Sequence, residues 1–144
     1  MIDERFAPYA TFLLRVALGV MFLAHSVVLK LMTFGLPGTA AFFASIGLPG
    51  WLAYVVFTME VVGGTALVLG VQTRWVAVLL APILIGAIWR HAGFGWVFDT
   101  DGGGWEYPLY LTLLCAAQAM LGDGAWALSR SRLPHGLRRL TTAA

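Results

Sequence analysis

The 144-residue chain is 60% hydrophobic and only 11% charged, with a mean hydropathy of +0.83, more apolar surface than a soluble domain of this size can hide. Lipid is therefore the solvent for most of it, in one domain. The net charge of +2 does not mark a nucleic-acid binder, because the basic residues crowd at the ends of apolar runs, and the lone Cys115 excludes an internal disulfide or a Cys-x-x-Cys redox pair.

The first apolar run, about residues 10–33, is too long for a signal-peptide core, carries Arg15 and lacks a small-x-small cleavage site. It reads as a retained membrane helix. Two copies of Gly-Leu-Pro-Gly follow, at 35–38 and 47–50, each punctuating the chain. Between them Thr39 to Ile46 predicts a short interfacial helix, with Phe42, Phe43 and Ile46 at the headgroup boundary.

Residues 51–70 form the second predicted span, with one carboxylate, Glu60, near its middle. Twenty helical residues cover about 30 Å, the thickness of a hydrocarbon core. A charge at that depth costs roughly 2.5–3.5 kcal/mol on insertion scales, so Glu60 requires a partner or a task. Ala53, Glu60, Gly63, Gly64 and Leu67 share one face at helical spacing. Small residues beside a charge predict close approach to another helix, with Glu60 turned to the bundle interior.

The third predicted span, 75–91, contains Pro82, which frees the Val78 carbonyl and predicts a kink. A Gly-rich connection with Asp99 and Asp101 leads to a fourth span over about 106–122, with Pro108 in its first turn. The fold class is thus an all-α integral membrane protein: a four-transmembrane-helix bundle over 1–122 with a short interfacial helix, then a basic cytoplasmic tail over 123–144. Arg5, Arg74 and the tail residues Arg130, Arg132, Arg138 and Arg139 share one side, against Lys30 and Arg90 on the other. That asymmetry puts both termini in the cytoplasm.

Counting inward from the outer ends places His25 about 12 Å deep and Glu60 about 13.5 Å deep, so the two are expected to meet. Lys30, Arg90, His91 and Glu106 fall nearer the boundary, with Glu106 at a level where Lys30 or Arg90 can pair with it.

The segments LLRVALGVMFLAHSVVLKL, GLPGTAAFFASIGLPGW, MEVVGGTALVLGVQTRW and GGWEYPLYLTLL, spread over about residues 10–122, resemble the successive signatures of the DoxX family of small bacterial and archaeal membrane proteins. The resemblance implies four membrane helices in a cytoplasmic (inner) membrane and association with quinone-linked thiosulfate oxidation or oxidative and thiol stress. It also implies that His25, Lys30, Glu60, Arg74, Glu106 and Tyr107 occupy the family's characteristic polar positions. Ser26 stands where that pattern often has glycine.

The candidate ligand site is therefore His25, Lys30, Glu60, Glu106 and Tyr107, with Phe22, Trp89 and Tyr107 as walls for a quinone headgroup. The bland alternative is a buried pair that locks two helices. His25 and His91 differ too much in depth for axial haem ligation, and Asp99, Asp101 and Glu106 have no recognised metal spacing. No metal and no covalent cofactor are expected, catalytic residues are not assigned, and quinone is the expected cofactor. The function read here is a membrane subunit of a quinone-linked redox or thiol-stress assembly, with a redox protein as partner. A small-molecule or lipid carrier and a ligand-free scaffold are the alternatives. Membrane lipid is a further partner, as is a second copy of the chain, because four helices lack the inverted repeats of a carrier unless they dimerise.

Overall fold

The computed structural model describes residues 3–132, and among them every regular element is helical. Helix α1 spans Ala7–Leu23, with Pro8 in its first turn, and continues without a break as a π-helix over Ala24–Thr33. Helix α2 is Leu36–Ser45, α3 Trp51–Leu69, α4 Thr73–His91 and α5 Glu106–Leu121. A single 3₁₀ turn, Ala92–Phe94, ends α4.

Among the described residues three stretches are long and apolar enough to cross a membrane: Ala7–Thr33, Trp51–Leu69 and Thr73–Phe94. The 16 residues of α5 fall short of that length. Lipid-type exposure is the rule on the outer faces, where Leu13, Val20, Val62, Leu79, Ile85 and Leu113 stand open. Helix α4 runs through Pro82 as one element.

The helices pair α1 with α3 and α4 with α5, around a core of Leu18, Phe22, Leu67, Leu80, Leu84, Leu111 and Cys115. The buried face of α3 is Ala53, Glu60, Gly63, Gly64 and Leu67, the face expected from spacing. Glycine is required on it: a Cβ on Gly64 would lie 2.9 Å from the Gly19 carbonyl oxygen, and one on Gly19 would lie 2.7 Å from that of Gly64. The α1 and α3 backbones therefore touch, the packing mode that replaces hydrophobic burial between helices in lipid.

The end of the bundle holding the 70–73 turn is closed by residues 122–132, of which 123–132 are the start of the segment expected as a basic cytoplasmic tail. Ser129 bonds through its backbone to Gly70 (3.0 Å) and Gln72 (3.1 Å), and the Ala125 amide donates to the Pro8 carbonyl at 2.9 Å. Trp126 packs edge-on against Phe12 and Tyr9, at 4.8 and 5.4 Å between ring centres. Fully buried Arg15 donates to the carbonyls of Leu67 and Val68 (both 2.9 Å) and Ala125 (3.0 Å), so it caps α3 and pins this strap together. Arg74 does the same for the end of α5, donating to Ala119 and Met120 at 2.8 Å. Gly70 has a positive φ of 74°, and a Cβ there would collide with Arg15. The remaining tail, Arg138 and Arg139 included, lies outside the described residues.

Candidate functional site

The opposite end of the bundle, where the π-helix, α2 and the neighbouring ends of α3, α4 and α5 converge, holds a cavity of about 590 Å³. Its walls are mainly aliphatic and aromatic, with Phe22, Met59 and Trp89 among them; its polar lining comprises His25, Lys30, Glu60, Arg90, His91 and Tyr107. That is the composition of a small-molecule site, apolar with a few convergent polar groups.

Glu60 is 3% exposed, and its partner is Lys30. The ammonium spans both carboxylate oxygens, at 2.8 Å to Oε1 and 2.7 Å to Oε2. The expected contact with His25 is not made: no hydrogen bond or ion pair joins the two among the described residues. His25 instead donates from Nδ1 to the Met21 carbonyl at 3.0 Å and stacks on Tyr107 at 6.0 Å between ring centres.

The π-helix explains the exchange of partners. On an α-helix His25 and Lys30, five residues apart, point about 140° apart. An i→i+5 ladder brings residues five apart to one face, as an i→i+4 ladder does for residues four apart. His25 and Lys30 therefore both reach the cavity. The ladder shows in the Phe34 amide, which donates to Leu29 at 2.9 Å, and in the Thr33 hydroxyl, which donates to Val28 at 2.8 Å. At its start fully buried Ser26 donates to the Phe22 carbonyl at 2.8 Å, competing with the backbone for that acceptor.

Of the other expected groups, Tyr107 lines the cavity and Glu106 does not. Glu106 forms no ion pair with Lys30 or Arg90; Lys30–Glu60 is the salt bridge found among the described residues. Phe42 and Phe43 of α2 and Ile46 just past its end, expected at the headgroup boundary, line the cavity, as does Pro82. His91 turns Nδ1 toward the carbonyls of Gly102 and Gly103, both at 3.0 Å, and so ties the glycine-rich loop to α4.

These donors limit the chemistry. A carbonyl only accepts, so Nδ1 of His25 carries a hydrogen, and in the neutral ring Nε2 is an acceptor. Lys30 has three hydrogens and gives two to Glu60, leaving one for a ligand. Lys30 and Tyr107 can thus donate to a bound carbonyl, while neutral His25 can only accept from a bound hydroxyl.

The family model described as DoxX matches residues 10–93, more than half of the chain. The chain belongs to the DoxX family. The match takes in α1, the π-helix, α2, α3 and α4, hence His25, Lys30 and Glu60, and stops short of α5 and Tyr107. The DoxX chain is also 48% identical over 79 residues to the "Putative oxidoreductase CatD" of Bacillus subtilis (strain 168), an alignment covering 54% of this chain and 56% of that protein. The match thus covers little more than half of that relative. No solved structure matches.

Proposed function

We propose that this DoxX protein is the membrane subunit of a quinone-linked redox assembly and that its cavity receives the quinone headgroup. The observation that carries the reading is the bidentate Lys30–Glu60 pair at the wall of an apolar cavity of about 590 Å³. The relative named as an oxidoreductase supports the redox setting. A quinone is an apolar body with two carbonyl acceptors, and the free Lys30 hydrogen and the Tyr107 hydroxyl suit one of them. When bound, the quinone would accept the electrons, which a partner protein must deliver, since the chain has one cysteine. Glu60 and Lys30 hold and release protons beside it. His25, with Nδ1 fixed, orients an acceptor nitrogen for the reduced form.

In this reading α5 is the fourth span. At 16 residues it covers about 24 Å, and its packing along α4 is what a fourth helix of the bundle would show. Helix α2 lies at the interface and roofs the cavity. The strap end, with Arg5, Arg74, Arg130 and Arg132, faces the cytoplasm, and the cavity opens to the far half of the inner membrane.

Decylubiquinone titrated into the protein in lipid nanodiscs tests this, because Trp89 on the cavity wall should be quenched on binding. Saturable quenching is expected, absent in Trp89→Phe and weakened about tenfold in Lys30→Met, as loss of a charged hydrogen bond implies. Non-saturable quenching, or weakening that only follows lost thermal stability, would refute the reading.

A further inference from the structure

Arginine has a pattern in this molecule. Arg15 and Arg74 each spend their guanidinium on main-chain carbonyls at a helix end. Arg90 does not. It enters no salt bridge among the described residues, and its Nε is buried without a hydrogen-bond partner. Asp99, Asp101 and Glu106, the next three acids in the chain, do not pair with it. Two aromatic rings hold it instead: its Cζ lies 4.6 Å from the ring centre of Phe94 and 5.7 Å from that of Phe42. Ring faces steady a cation without occupying its in-plane N–H groups.

Arg90 lines the cavity. The wall therefore carries two fixed cations, Lys30 and Arg90, against the single carboxylate of Glu60, and Glu60 is already neutralised by Lys30. One positive charge with a free hydrogen-bonding fork remains, beside a cavity whose other walls are the side chains of Phe43, Leu52, Val55, Met59 and their neighbours. Charge complementarity calls for an oxyanion at the fork, and the apolar walls call for a hydrocarbon body behind it. A cavity of about 590 Å³ suits one chain better than two.

We infer that Arg90 is an oxyanion receptor and that the cavity binds a single-chain amphiphile with an anionic head, such as a long-chain carboxylate drawn from the membrane. This inference goes beyond the quinone reading and does not rest on it, because a quinone carries no charge for Arg90 to meet.

Oleate and oleyl alcohol share a chain and differ in charge, so their binding to the protein in phosphatidylcholine nanodiscs isolates the head. Oleate should bind more tightly than the alcohol and weaken as salt is raised, whereas the alcohol should not respond to salt. Arg90→Gln should weaken oleate roughly tenfold or more while leaving the alcohol unchanged, and Arg90→Lys should recover part of the loss. The salt dependence uses the unaltered protein and stands even if a variant folds poorly. Equal affinity for oleate and oleyl alcohol would overturn the inference. So would acetate binding as tightly as oleate, since the cavity would then contribute nothing. Loss of decylubiquinone binding with oleate binding intact would sink only the quinone reading.

Discussion

Removing Lys30 should cost far more than removing the charge of Glu60. The ammonium sits 2.7 and 2.8 Å from the two carboxylate oxygens, which at an effective dielectric of ~20 corresponds to about 6 kcal/mol of gross attraction. Desolvating the two ions takes back several kcal/mol each, so the pair as a whole contributes little net stability. The single variants are different. The Lys30 side chain is 18% exposed and that of Glu60 4%. In Lys30→Met a buried carboxylate is left bare, at about 3–5 kcal/mol. In Glu60→Gln the orphaned ammonium sits on a long stem and can turn toward the interface, so the loss should be about 1–2 kcal/mol. The double variant Lys30→Met with Glu60→Leu should return to within about 1 kcal/mol of the parent. Reversible unfolding in mixed micelles gives all four free energies and, as a double-mutant cycle, the coupling. Equal costs for the two single variants, or a coupling below about 0.5 kcal/mol, would refute this account of the pair.

Three other outcomes follow from the packing. Gly64→Ala drives a methyl group into the Gly19 carbonyl and the Leu23 and Phe22 side chains, and should lower stability in the same assay by about 1–3 kcal/mol. Arg15→Lys replaces a fork bonded to three carbonyls by a point charge; cleavage within residues 122–132 under limited proteolysis should rise several-fold while the helices stay protected. Burial alone would raise the Asp123 carboxyl, but hydrogen bonds from Thr73 and Ser131 outweigh it and hold its pKa below the ordinary carboxylate value. Its contribution to strap docking is thus complete above the unfolded-state pKa of about 4 and drains away as the pH falls toward the lower native value. Proteolytic release of the strap should rise on acidification below about pH 4 in the parent and lose that pH dependence in Asp123→Asn.

The parts legible in the sequence are those governed by one period. The interior face of α3 follows directly from 3.6-residue spacing, because Ala53, Glu60, Gly63, Gly64 and Leu67 lie in one regular helix. Helix limits fall within a few residues of expectation for the same reason. Where the period changes, the reading fails. On an α-helix Lys30 points about 140° away from His25, whereas the π-helical ladder turns both to one face and re-aims Lys30 toward Glu60. The Ser26 hydroxyl, bonded to Phe22, was the local signal available for that change. The strap after Gly122 was missed because it is held by backbone bonds and by Arg15, Asp123 and Trp126, none of which makes an apolar repeat. Arg15 was visible as a charge within an apolar run, but its acceptors are carbonyls, which a sequence does not distinguish.

Photoaffinity labelling with an azido-quinone in nanodiscs, followed by peptide mapping, tests most directly whether the Lys30–Glu60 cavity receives a quinone. Adducts confined to the end of α1 and the π-helix, α2, the first half of α3, the second half of α4 and the start of α5, competed by unlabelled quinone and lost in Lys30→Met, are the predicted result. Labelling spread over the lipid-facing residues, or unchanged by competitor, would contradict it.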